Sequence, residues 1–185
     1  MRVVLTIALA LVSAATSGCL VLSLAPLYDS ESMGWDGRLV GSWIDEEDHA
    51  SMDIGRAEWQ SYRIHYVHPI ETGDLTGYLT EVGETRYLDL MPGRGADRGA
   101  FLVPVHVVLR LRVEDDRLEL TPLSYDWFAD RLRRRQSMSG LAVSLDQKDN
   151  ALIVSPTAAM RAWLRAQPAA GEMFGAPTVF VRKEQ

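Results

Sequence analysis

The chain has 185 residues, a formal net charge of -6, 47% hydrophobic residues and a single cysteine. That length suits one domain with a core large enough to need no metal or disulfide staple. The net acidity argues against a nucleic-acid partner, and one cysteine excludes an intramolecular disulfide and any cysteine-rich zinc or iron–sulfur site.

The amino-terminal stretch carries the first positive signal. Arg2 supplies a basic start, residues 3–12 are continuously apolar, and residues 13–18 are small and polar. Together these are the three parts of a secretory signal peptide. The stretch ends at Cys19, and Thr16-Ser17-Gly18-Cys19 resembles a bacterial lipobox. The resemblance implies cleavage before Cys19, diacylation of its thiol and acylation of the new amino group. Two or three acyl chains, at about 0.8 kcal/mol per buried CH₂, hold a protein stably on a membrane where one would not. The competing readings are an uncleaved membrane helix over residues 3–25 and plain secretion with a free thiol. Leu20 rather than Asp follows the cysteine. By resemblance to the sorting rule of enteric-type bacteria, this implies the outer membrane, facing the periplasm.

The expected organisation is a signal peptide (1–18), a lipidated cysteine and tether (19–38), and one antiparallel β domain with two helices (39–185). Residues 20–27 are still apolar, so this part of the tether is expected to lie on the membrane or dock on the domain. From residue 39 the chain breaks into short alternating segments separated by turn residues, the pattern of antiparallel strands. Strands are expected over 39–45, 51–54 and 59–67, the last alternating Tyr62, Ile64 and Tyr66 on one face. Residues 74–82 and 85–90 form a hairpin around Gly83-Glu84, which sets Leu79 opposite Leu88 and Tyr78 opposite Asp89. Residues 91–100 read as a loop.

Residues 101–123 read as a second hairpin, with apolar residues at odd positions from Phe101 to Val113 and His106, Arg110, Arg112 and Glu114 at even ones. A turn at Asp115-Asp116 pairs Val113 with Leu118 and Leu111 with Leu120, and on the other face Glu114 with Arg117 and Arg112 with Glu119. Apolar meets apolar and opposite charges meet, so the register is self-consistent. Helices are expected over 124–135, with Ser124 as N-cap and Tyr125, Phe128 and Leu132 as its stripe, and over 156–167, with Met160, Trp163 and Leu164 on one face. Short strands are expected at 141–145, 151–154 and 178–182. Residues 116–122 and 150–156 echo one another, each a turn, a strand and a Pro before a helix; similar strand-to-helix junctions explain the echo without duplication.

Gly41-Ser42-Trp43 in the first strand resembles the Gly-x-Trp signature of lipocalin-type barrels. In that family the Trp closes one end of the barrel and a late-strand basic residue stacks on it. The resemblance assigns that role to Arg182, through a cation–π contact. Over a longer span, Pro26-Leu27-Tyr28, residues 39–43, Tyr87-Leu88-Asp89-Leu90 and Ser155-Pro156-Thr157 follow a lipobox in this order. That order resembles a group of uncharacterised bacterial lipoproteins with a lipocalin-like β domain. The fold class is therefore mainly β, an antiparallel lipocalin-like barrel or half-barrel with two short helices packed on it.

Chemistry is sparse. His65 and His68 point to opposite faces of one strand and make no chelate by spacing, His49 is expected in a solvent or hydrogen-bonding role, and His106, on the polar face of its strand beside Arg110 and Arg112, is expected on the surface. The acidic run over residues 45–48 lacks the ligand spacing of a calcium loop and reads as a solvated turn. Arg131, Arg133, Arg134 and Arg135 suit the end of a helix dipole. None of the common hydrolase, metalloprotease or nucleotide-binding motifs occurs, so no catalysis, metal or cofactor is expected. Trp43, Trp59, Tyr62, Tyr66, Trp127, Phe128 and Trp163 are expected in the core, or lining an apolar pocket. The function expected is an envelope lipoprotein that binds an apolar or amphipathic small molecule or lipid. The alternative is a structural or protein-interaction module tethering an envelope complex.

Overall fold

The computed structural model of the protein describes residues 20–93, 103–168 and 171–183. Eight strands form a closed antiparallel barrel: β3 (Gly41–Asp45), β4 (Ala50–Arg56), β5 (Ser61–His68), β6 (Glu71–Val82), β7 (Thr85–Pro92), β8 (Val107–Glu114), β9 (Arg117–Pro122) and β12 (Thr178–Arg182). Each pairs with the next, and β12 closes the ring by pairing with both β9 and β3. Closure leaves no free sheet edge among these strands, which removes the liability of an open half-barrel.

Turn chemistry sets the registers. Gly83, at a φ of 63°, opens the two-residue turn that places Leu79 opposite Leu88 and Tyr78 opposite Asp89. Asp115, at a φ of 44°, opens the turn that pairs Val113 with Leu118 and Arg112 with Glu119. Both registers are those required by apolar and charge pairing. β8 is shorter than the alternation predicts: it begins at Val107, Val103 is 71% exposed, and Phe101 lies outside the described residues.

The two helices do not interrupt the barrel. They belong to a crossover between its seventh and eighth strands, which contains α1 (Tyr125–Arg133), β10 (Val143–Leu145), β11 (Ala151–Ile153) and α2 (Thr157–Arg165). Ser124 caps α1, its Oγ accepting the Trp127 N–H at 3.3 Å. Strands β10 and β11 form a separate sheet with β1 (Val21–Ser23), which lies parallel to β11. The apolar part of the tether is thus built into the fold as a strand. It also removes residues 21–23 from any continuous helix over 3–25. The two echoing segments end up in different sheets, β9 in the barrel and β11 outside it, as expected of similar junctions rather than repeated units.

After β1 the chain runs as a strap over the outer wall of the barrel. Leu27 is fully buried, Tyr28 stacks on Tyr78 at 4.1 Å between ring centroids, and β2 (Met33–Gly34) pairs with the end of β6 that projects past β5. A short 3₁₀ helix (Gly37–Leu39) then crosses one end of the barrel before β3.

Two cores result. The inner one fills the barrel with inward residues such as Trp43, Tyr62, Ile64, Leu88, Leu118 and Phe180. The outer one lies between the barrel wall, both helices, the strap and the small sheet, and contains Leu27, Tyr87, Val108, Phe128, Met160 and Trp163.

Candidate functional site

Gly41, Trp43 and Arg182 meet at the end of the barrel crossed by the 3₁₀ helix. Trp43 is fully buried, and its Nε1 donates to the Leu39 carbonyl at 2.9 Å. The Arg182 guanidinium lies over the Trp43 ring, 4.3 Å from its centroid. Its two terminal nitrogens donate to the carbonyls of Val40 (3.0 Å) and Arg38 (2.7 Å), and its Nε sits 3.2 Å from Asp116. Arg182 therefore pins the strap to the barrel end by geometry as well as charge. The glycine has a steric reason. Gly41 has a φ of 144°, and Arg182 Nη1 occupies the space a Cβ would need.

Beside this lid lies a charged cluster that spacing alone did not bring together. Asp36 binds Arg38 and Arg86 at 2.7 Å each, and its carboxylate is largely buried. The hydrogen bond from Arg38, aided by Arg86 and opposed by burial, holds the Asp36 carboxyl far below the usual carboxylate range. The Asp36 N–H donates to the Tyr62 hydroxyl at 2.7 Å, and that hydroxyl donates to the Asp36 carbonyl at 3.2 Å. Trp35 stacks on Tyr62 at 4.5 Å, with the Arg56 guanidinium 5.0 Å from the Trp35 ring. Between strap and barrel is an open groove of about 620 Å³ whose walls include Glu31, Trp35, Asp36, Arg38, Glu81 and Arg86. A second groove, of about 400 Å³, shares Arg86 and continues past Glu84, Arg110, Arg112 and Glu114. Both have walls of mixed charge, with Arg38 and Arg86 already committed to Asp36. They are not apolar lipid pockets.

The barrel interior is crowded around Gly77. At Gly77, on the inward face of β6, an added Cβ would stand 2.9 Å from Ile64 Cδ1, 3.2 Å from Leu88 Cδ1 and 3.3 Å from Leu90 Cδ2. Neighbouring side chains already occupy the space a residue there would fill.

Thr16, Ser17, Gly18 and Cys19 lie outside the described residues, which begin one residue later; the Leu20 N–H donates to Asn150 Oδ1 at 3.0 Å. Asp45 is buried, and its Oδ1 accepts the N–H of Glu47 at 3.0 Å, so the acidic run begins with a structural turn. His65 faces Asp74 at 2.8 Å on the surface. Among the described residues, no group of three or more His, Cys, Asp or Glu side chains converges as a metal site, and no helix is long and apolar enough to cross a membrane. Arg131 lies 3.6 Å from the Trp127 ring and Arg134 pairs with Asp130 at 2.8 Å, so the basic helix end is partly spent on its own helix.

Two expectations need correction. His106 is not on the surface: it is 5% exposed, its Nδ1 lies 2.7 Å from Asp89 Oδ1, and Asp89 Oδ2 accepts the Leu27 N–H at 2.6 Å. Alternation placed it on the outward face of its strand, but the strap and small sheet cover that face. Val108, apolar between His106 and Arg110 in that row, was the available signal. Trp59 is not in the core. It is 85% exposed at the β4–β5 turn, where it and Gln60 both adopt left-handed φ values of 54° and 61°.

A further residue with no sequence signal is Arg161. From α2 its terminal nitrogens reach the Leu27 carbonyl (2.9 Å), Ser32 Oγ (3.1 Å), Thr80 Oγ1 (3.1 Å) and the Glu81 carbonyl (2.8 Å), fastening the strap to the wall. No family profile, curated protein or solved structure matches the chain.

Proposed function

We propose that the chain is an acylated lipoprotein of the bacterial envelope, anchored through Cys19 in the outer membrane and facing the periplasm. Its barrel acts as a rigid interaction module that tethers a protein complex, rather than as a container for lipid. The observation that carries the second half is the crowded interior around Gly77, where a lipocalin-like carrier would need an open cavity of roughly 300 Å³ or more. The anchor half rests on the leader and the Thr16-Ser17-Gly18-Cys19 motif. Trp59 offers the partner a large apolar contact on a tight turn whose two left-handed residues are not glycine.

Two measurements test this. Metabolic labelling with a fatty acid should tag the wild-type chain and not Cys19→Ser; label that survives the substitution removes the anchor. A photo-crosslinker placed at Trp59 in intact cells should capture one dominant protein. A diffuse ladder at that position, with stoichiometric lipid recovered from the purified chain, would overturn the module.

One observation favours the small-molecule reading. At the barrel end opposite the 3₁₀ helix, Tyr66, Leu75, Val107 and Leu109 pack on the inner core while staying partly exposed. An amphipathic ligand would sit on this shallow apolar floor, and native mass spectrometry of the purified chain should then show a bound species that Leu109→Asp abolishes.

A further inference from the structure

On the outer face of the small sheet, β1 and β11 present an apolar patch, flanked by Ser144 of β10 opposite Leu152. Leu22 pairs with Leu152 in the β1–β11 ladder, and both point away from the buried Val21, Ala151 and Ile153. Backbone hydrogen bonds extend the ladder at both ends, from the Ala151 N–H to the Leu20 carbonyl and from the Leu24 N–H to the Ile153 carbonyl. Alternation then puts Leu20, Leu22, Leu24, Leu152 and Val154 on one face. Leu20, Leu24 and Val154 are 49%, 42% and 45% exposed, and Leu22 and Leu152 are half-buried between them. Other exposed apolar residues, such as Val40, Trp59 and Val181, lie on separate elements, but these five aliphatic residues share one face of two paired strands.

We infer that this face is a membrane seat: it rests on the acyl surface of the bilayer and fixes the orientation of the domain there. The inference rests on the Cys19 anchor proposed above. What names the occupant is the position of the acylated cysteine. Cys19 immediately precedes Leu20, the first residue of the patch, and the Leu20 N–H is clamped by Asn150. Asn150 is held in turn by Asp146, with its Nδ2 donating to Asp146 Oδ2 at 2.9 Å. An anchor at Cys19 therefore has no slack to hold the domain away from the lipid. The bilayer is brought to the one sheet face whose side chains gain from leaving water.

The chain has one cysteine, and acylation consumes it, so a new cysteine can be labelled uniquely. Leu24→Cys, Leu152→Cys and Val154→Cys, each carrying a nitroxide, are compared with Val181→Cys, an exposed position on β12 of the barrel wall. The full acylated chain is reconstituted in phosphatidylethanolamine–phosphatidylglycerol vesicles. The expected result is flotation with the vesicles and a several-fold drop in accessibility to an aqueous nickel chelate at all three patch positions, with Val181→Cys unchanged. Flotation with patch positions as open to nickel as Val181→Cys overturns the seat and leaves the anchor standing. Failure to float removes the anchor and the seat together.

Discussion

The two cores of this protein are built by different rules. The inner core is assembled mostly from strands adjacent in sequence, each contributing every second residue, and the registers of two of its hairpins are set by two-residue turns. Of the inward side chains Trp43, Tyr62, Ile64, Leu88, Leu118 and Phe180, only the Trp43 indole N–H and the Tyr62 hydroxyl need hydrogen-bond partners. The outer core is assembled from distant pieces: a strap from residues 21–36, the barrel wall, and a crossover from residues 123–177. Pieces brought together from such distances carry polar backbone and side chains with them, and these have to be matched inside the protein. The outer core accordingly holds the buried Asp89–His106 pair, while Arg161 and Ser155 bind backbone groups at its edges. The barrel interior tolerates loss of a contact as a cavity. The outer core tolerates loss of a partner as an unmatched polar group.

Substitutions can break that contrast. The largest effects are expected from Asp89→Ala and Trp43→Ala, each destabilising by about 3–5 kcal/mol in chemical denaturation, for opposite reasons. Asp89→Ala strands His106 and the Leu27 N–H, so adding His106→Leu should recover part of the loss. Trp43→Ala leaves a void, and removing the cation above it with Arg182→Leu should recover nothing. Equal behaviour of the two double variants would erase the distinction.

Next in size is Gly41→Ala, where a Cβ collides with Arg182; a loss of about 1–3 kcal/mol is expected. Gly77→Ala tests how full the barrel is. In a packed interior it costs about 1–3 kcal/mol, whereas with spare volume it would be neutral or stabilising in the same denaturation measurement. The smallest effect is in pH dependence. The folded-state pKa of Asp36 is depressed, so the unfolded chain binds its proton more readily and stability rises with pH through the acid range. That contribution is present above about pH 4 and is lost as the pH falls further toward the folded-state value. Asp36→Asn should therefore flatten the acid limb of a thermal-midpoint profile and leave its slope above pH 5 unchanged.

Much of the inner core can be read from pattern alone. The Gly83-Glu84 and Asp115-Asp116 hairpins have the registers that apolar and charge matching demand, because a one-residue slip would turn every side chain to the wrong face. The two helices also sit where caps and stripes place them. Barrel closure was less legible, since the last strand follows a crossover that itself contains strands and helices. The charged cluster of Asp36, Arg38 and Arg86 had no motif, because Arg86 reaches it from 50 residues away.

Local chemistry thus determined the strands, their turns, the helix starts and which face of each strand points inward, because these depend on neighbours within a few residues. Only the tertiary structure decided what covers the outward faces. His106 and Val108 are buried because a strap from residues 21–36 and a sheet from the crossover lie over β8, whereas Trp59 is exposed because none of the described residues lies over its turn. Period-two alternation specifies a direction for each side chain. Burial depends on what arrives from elsewhere in the chain, and no short-range pattern encodes that.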